Sequence, residues 1–215
     1  MTNSQINGRR GRGRPRGFDE DKALDAAMRI FWAQGYEAAS VDQLSRGMGV
    51  PRASLYNLFG DKEQLFLSTV RAYAEGPFAE VVAHLDGHGA LPDDLMAFFA
   101  ALIALTATEG APQGCMVSCA LADAAGTHEG FREELSRRLA EVDRAIDARL
   151  VRALAEGDLP AGTQTEPLAR VIGAVARGLT VSARSGAPKA DLAATAAACV
   201  ALLPGGRVGE GAGRA

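Results

Sequence analysis

Cysteine is too scarce here to hold a fold together. Cys115, Cys119 and Cys199 are the only three in 215 residues, an odd and small number that excludes the disulfide framework of a small secreted domain. Reduced thiols are expected. Lysine is confined to Lys22, Lys62 and Lys189, so the basic residues are overwhelmingly Arg, and with the abundant Ala and Gly this is the composition of a GC-rich bacterial genome. The longest Ala-rich apolar run, 192–203, is shorter than the roughly 20 residues of a membrane span. It reads as a core helix. No apolar stretch follows the N-terminal charges, so no secretory signal and a cytoplasmic protein are expected. Also missing are alternating β-branched runs, a Gly-rich phosphate loop, catalytic-triad spacing and paired carboxylates, which leaves no enzyme class with a motif of its own.

What is present is a charge asymmetry. The net charge of -3 divides into +3 over Met1 to Lys62 (10 Lys+Arg against 7 Asp+Glu) and -6 over the remainder (13 against 19). The front of the chain is polarised toward an anion. Within it, Arg9, Arg10, Arg12, Arg14 and Arg16 alternate with Gly and Pro, and no acid appears before Asp19. Such a strand has too little apolar surface to fold alone, but it has the shape of a cationic thread for a narrow minor groove. Its "RGRP" resembles the core of an AT-hook. Residues 1–17 are therefore expected to be a flexible Arg-rich arm, and the Gly-rich 205–215 a flexible tail.

Between these ends the apolar residues recur at helical spacing throughout, which predicts an all-α fold. Leu24, Ala27, Met28 and Phe31 trace one stripe from Asp19 to about Gln34, with Gly35 to end it. Ser40 to Gln43 has the capping-box pattern, opening a short helix to about Gly47, and Asp61 to Gln64 opens another. Gly76-Pro77 should break that helix. Further helices are expected from about Pro92 to Thr108, Cys115 to Ala124, Glu129 to Glu156, Glu166 to Ser185 and Pro188 to Leu203. The last two are rich in small residues and greasy on more than one side, which fits deep burial or a homodimer bundle equally well.

Between Gly49 and Leu65, "GVPRASLYNLFGDKEQL" places Leu55, Leu58 and Phe59 on one stripe and Arg52, Ala53, Ser54, Tyr56 and Asn57 on the other. A helix this short is marginal alone. Its polar face, after a short helix and a tight turn through Gly47 to Gly49, has the outline of a helix-turn-helix reading head. Arg52 suits guanine edges or phosphate, Asn57 adenine, Ala53 a thymine methyl, and Ser54 and Tyr56 phosphates. Lys62 adds a cation at the start of the following helix.

The stretch "SVDQLSRGMGVPRASLYNLFGDKEQLF", preceded by "ALDAAMRIFWAQGYEAAS", resembles the DNA-binding domain of TetR-type transcriptional regulators. The resemblance is strong over about Phe18 to Leu67, and Pro51 departs from it by replacing a Ser or Thr that caps the reading helix. It implies a three-helix DNA-binding domain at 18–65 and a helical effector-binding and dimerisation domain at 66–204. It also implies that Ser40 and Lys62 hold phosphates, that Arg52, Ala53, Ser54, Tyr56 and Asn57 lie at the groove, and that Leu55, Leu58 and Phe59 are core. The arm arginines Arg12, Arg14 and Arg16 join the DNA contacts. The implied partners are a double-stranded DNA operator, a second copy of the chain through the last two helices, and a small-molecule effector. The family mostly represses, and no cofactor, metal or membrane is called for.

For the signal, "APQGCMVSCALAD" places Cys115 at the start of an expected helix, where the dipole favours thiolate, with Cys119 one turn on. A similar Gly-Cys occurs in a branch of TetR-like proteins, some of which respond to electrophiles or oxidants. The bland alternative is two small core residues. A rival sensor is a reversible pocket near Phe98, Phe99, Leu102 and Met116 for a small hydrophobic or carboxylated molecule. Two further classes compete. One is an enzyme with Cys115 as nucleophile and His128 as base, the other a nonspecific architectural protein using the arm. His84 and His88 form an H-x-x-x-H pair among glycines, which is a poor metal site.

Overall fold

The computed structural model describes residues 19–108 and 110–204. The arm and tail, including Arg12, Arg14 and Arg16, lie outside the described residues. Every regular element among those described is helical.

Helix α1 (Glu20–Gln34) starts at Asp19, whose carboxylate accepts from the Lys22 amide, and stops at Gly35, where φ is 81°. Helix α2 (Val41–Gly47) carries the full capping box: Gln43 N donates to Ser40 Oγ at 3.2 Å, and Ser40 N donates to Gln43 Oε1 at 3.0 Å. Each satisfies an amide the helix end leaves free. The turn to α3 (Arg52–Phe59) passes through Gly49 at φ 68°, in the left-handed region that favours glycine, and is tied by Ser45 Oγ donating to Val50 O. Pro51 is the residue before α3, not its first turn, and gives it no side-chain cap. Helix α4 (Lys62–Glu75) opens at Asp61, which accepts from Gln64 N at 2.8 Å.

The expected break at Gly76-Pro77 is there. It separates α4 from α5 (Pro77–Val82), which tightens into a 3₁₀ turn at Ala83–Asp86. Helix α6 (Leu91–Thr106) follows, then a π-helical turn (Val117–Leu121) and the single turn α7 (Ala122–Ala124). The long α8 (Glu129–Glu156), α9 (Thr165–Arg184) and α10 (Lys189–Ala201) complete the chain. Cys115 therefore precedes the turn and does not open a helix.

Two buried clusters hold the elements. The first combines α1 to α4 with residues from 115 to 131: Phe31, Tyr36, Phe66 and Phe131 pack edge to face with centroids 4.8–5.2 Å apart where they touch most closely. The start of α8 is thereby part of the same core as the first three helices. This core runs along α4 to Tyr73, so the expected boundary at 65 falls inside a helix and inside a packed cluster. The second cluster lies among α5, α6, α8, α9 and α10. There Arg149, fully buried, donates from Nε to Asp94 Oδ2 at 2.7 Å and from Nη2 to Gly89 O at 2.9 Å. Removing either partner would strand a buried charge.

Candidate nucleic-acid interface and effector cavity

Helix α3 is anchored at Leu55, with Phe59 packed beside it. Leu55 is fully buried, Phe59 is half-buried, and Leu58 is 42% exposed. The expected core stripe is thus corrected at Leu58, because an eight-residue helix docked at Leu55 turns only a narrow edge toward α2 and α4. Arg52, Ala53, Tyr56 and Asn57 are exposed and Ser54 is half-buried. Five polar or small side chains thus share one outward surface.

Sequence reasoning missed the neighbours of that surface. Arg52 is paired with Asp42 of α2 through Nε and Nη2, and this hydrogen bond holds the exposed Asp42 carboxyl below its ordinary value. The contact spans ten residues across the turn, where no helical spacing points to it. Lys62 sits over the Tyr36 ring, its Nζ 4.2 Å from the centroid, and donates to Glu37 O at 3.4 Å. Burial pulls its ammonium below the ordinary lysine value, against the Glu37 carboxylate. The same packing pushes Tyr36 up to about 12, by burial first and then by Glu63, Glu37 and Asp61. Lys62 is therefore held in place by its own neighbours. Its positioning is an aromatic contact from the α1–α2 loop, with only the spacing of Tyr36 before the capping box to signal it.

His128 closes this joint from the other side. Its ring lies 5.0 Å from Tyr36 and 4.8 Å from Phe131, with Nδ1 3.8 Å from Glu37 and Nε2 3.9 Å from Glu63. Its hydrogen-bond partners are Thr127 Oγ1 and Ala124 O. None is a thiol, so the Cys115–His128 nucleophile pair is not assembled, and the histidine is turned toward the reading head instead.

The effector candidates separate into a cavity and its surroundings. A cavity of about 270 Å³ opens between α4, α5, α6, α8, α9 and the Cys115 segment. Phe98, Leu102 and Cys115 line it, together with Phe78 and Val82, whereas Phe99, Met116 and Cys119 do not. Phe99 and Met116 are fully buried in the packed clusters on either side. At Cys119, the second cysteine of the motif, burial pushes the thiol up, against the pull of Arg184. Cys115 is buried beside Tyr73, whose hydroxyl is driven well above its ordinary value by burial and then by that thiol. The charged side chains of the wall, Asp86, Arg138, Glu141 and Arg177, lie more than 20 residues away from Cys115, which is why no local motif announced them.

Close to the cavity, Gly114 joins three elements. Its carbonyl accepts from Trp32 Nε1 at 2.9 Å, and an added Cβ would meet Arg184 Cβ and Cys119 Sγ at 2.9 Å and Thr180 O at 3.0 Å. Arg184 in turn donates to Trp32 O and Gln113 O. The end of α1 and the end of α9 thus meet at one glycine. Among the described residues no group of three metal-binding side chains assembles, His84 and His88 included. No described helix is long and apolar enough to cross a membrane.

A helix-turn-helix head with an exposed polar second helix, packed onto a helical domain with its own cavity, is the architecture of a two-domain DNA-binding regulator. The chain belongs to the TetR family: residues 23–69 match the description "Bacterial regulatory proteins, tetR family", and 92–202 match "Tetracyclin repressor-like, C-terminal domain". It is 30% identical over 197 residues to the HTH-type transcriptional repressor ComR of Escherichia coli K12, covering 91% of this chain and 94% of ComR. Over 60 residues, 28% of this chain and 31% of the relative, it is 43% identical to the repressor AcnR of Corynebacterium glutamicum. Among solved structures it resembles a cysteine mutant of the TetR family regulator CifR complexed with 26bp double-strand operator DNA. The TM-score is 0.82 at 34% identity, covering 89% of this chain and 100% of that one.

Proposed function

We propose that this protein is a transcriptional repressor that binds a near-palindromic operator as a homodimer and is released by a small molecule. The observation that carries the reading is the exposed face of Arg52, Ala53, Tyr56 and Asn57 on a helix held by Leu55 and the half-buried Phe59. A short helix needs such a face for something other than its own stability. In this reading α3 enters the major groove, Ser40 and Lys62 bind phosphates, and Ser54 and Tyr56 flank the backbone. The arm with Arg12, Arg14 and Arg16 follows the adjacent minor groove. DNA reading is assigned to 18–65 and sensing and dimerisation to 66–204, two functions joined through the shared helix α4, acting in the cytoplasm on DNA, with no reaction catalysed.

The homodimer is supported by the outer faces of α9 and α10. Val171, Ala174, Gly178 and Val181 are exposed at steps of three and four, and Ala194, Ala197, Ala198 and Leu202 extend the face. Small residues backed by valines suit close helix approach by a second copy. The sensing route is supported by Ala74, which lines the cavity from α4, the helix that begins at Lys62. A ligand that shifts α4 shifts a phosphate contact and the aromatic joint together. Cys115 adds a route for electrophiles or oxidants, since its residue forms part of the cavity wall.

Fluorescence-anisotropy titration of the reduced protein on tiled duplexes from DNA beside its own gene tests this, with random duplex as competitor at two salt concentrations. One tile carrying an inverted repeat and binding about 10³-fold or more above competitor is expected. Equal, steeply salt-dependent binding to every tile would replace the repressor with a nonspecific architectural protein.

A further inference from the structure

The cavity has a mostly apolar wall and one polar feature that is not explained by the fold. Arg138, 7% exposed, forms part of that wall. Its Nε donates to Glu134 Oε1 at 2.8 Å and its Nη1 to Glu141 Oε2 at 3.1 Å, while its Nη2 is sealed from solvent with no hydrogen-bond partner. A buried donor without an acceptor is costly. A ligand entering the cavity gains by drawing the guanidinium toward itself and supplying one.

Charge decides what kind of acceptor. The carboxylates of Glu134 and Glu141 are also bound by Arg137, and Arg177 of the wall donates from Nη1 to Asp143 at 3.1 Å. Three guanidiniums therefore face three carboxylates, and Asp86, also in the wall, is an acid in excess. Burying another carboxylate here would cost its desolvation with no uncompensated positive charge to receive it. An ammonium would meet the orphan donor, and the acid in excess, Asp86, is exposed and already hydrated. A neutral acceptor escapes both penalties.

We propose that the cavity takes an uncharged, largely apolar molecule with one carbonyl-type acceptor, its oxygen receiving the free Nη2 of Arg138 and its body packing against Phe78, Val82, Phe98 and Leu102. The volume, at the small end for such sites, limits the ligand to a compact molecule. The consequence for DNA rests on the effector reading above. The binding chemistry does not.

Isothermal titration calorimetry of the full-length protein without DNA, using 2-octanone, octanoate and octylamine as probes of equal chain length, tests the class. The expected order puts 2-octanone about tenfold or more tighter than either charged probe. Arg138→Met should bring 2-octanone down by a similar factor. Circular dichroism and melting of that variant guard against misfolding, and Leu102→Trp, which fills the cavity while keeping Arg138, should abolish binding of the ketone. Tightest binding by octanoate or octylamine, equal binding by all three, binding of the ketone that Leu102→Trp leaves intact, or no binding by any probe would overturn the proposal. Operator release is then read separately by anisotropy. Ketone binding without release leaves the ligand class standing and removes the effector reading; release by octanoate alone does the reverse.

Discussion

Arg52 is already engaged by Asp42 before it meets a base, so contact with a guanine edge must exchange one carboxylate for another acceptor. Arg52→Ala is expected to relax base preference at one position per half-site, by about 1–3 kcal/mol. Titration against single-base operator variants measures it. Asp42→Ala removes the competitor and a negative charge near the phosphates, so it should tighten binding to all duplexes. Lys62→Ala should weaken every sequence alike and reduce the salt slope by roughly one. An altered base preference with an unchanged slope would take Lys62 off the backbone. At this scale the sequence displayed which residue types share α3's outer face, because helical spacing is local. The Asp42–Arg52 pair and the Lys62–Tyr36 stack were not legible, since both form across turns between elements.

At the scale of elements, the joint at Gly114 couples the end of α1 to the end of α9. Its φ of 80° lies in the left-handed region, and any Cβ there would press on Cys119, Arg184 and the Thr180 carbonyl. Gly114→Ala should destabilise the fold by on the order of 1–3 kcal/mol and loosen the Trp32–Gly114 hydrogen bond, visible as a lower melting temperature and changed Trp32 fluorescence. Helix α8 carries a pH-dependent contribution. Burial raises the Glu134 carboxyl but is outweighed by Arg137 and Arg138, which leave it below its ordinary value of 4.5. Its stabilisation is therefore complete above about pH 4.5 and is lost as pH falls through the lowered folded-state value. Glu134→Gln should be less stable than the parent at neutral pH and approach it in acid, as urea titrations across that range would show. The boundaries of most helices were readable from caps and breakers such as Ser40, Asp61 and Gly76-Pro77. The segment 115–121 was not, because a π-turn keeps the apolar pattern of an α-helix while moving Cys115 outside it.

For the whole molecule, the reading head and the sensing bundle share Phe131 and a cluster of aromatic rings, so they do not hinge freely between separate cores. Movement of α4 must therefore be felt at Tyr36 and Lys62. The cavity that would drive it was legible in the sequence only at Phe98 and Leu102, as its other walls come from helices far apart along the chain. Dimerisation belongs to this scale as well. Val171→Glu and Val181→Glu place charges on the exposed α9 face and should yield folded monomers by sedimentation that lose operator affinity while keeping their helix content. Retained dimers would move the interface elsewhere.

Reading of the operator by α3 rests on Arg52 and Asn57. Competition anisotropy of the parent and of the Arg52→Ala, Asn57→Ala double variant, operator against random duplex at one fixed salt concentration, tests it most directly. The preference for operator is expected to collapse by about 10²-fold or more while random-duplex binding changes little. A double variant that binds random duplex as before and keeps its operator preference would contradict it.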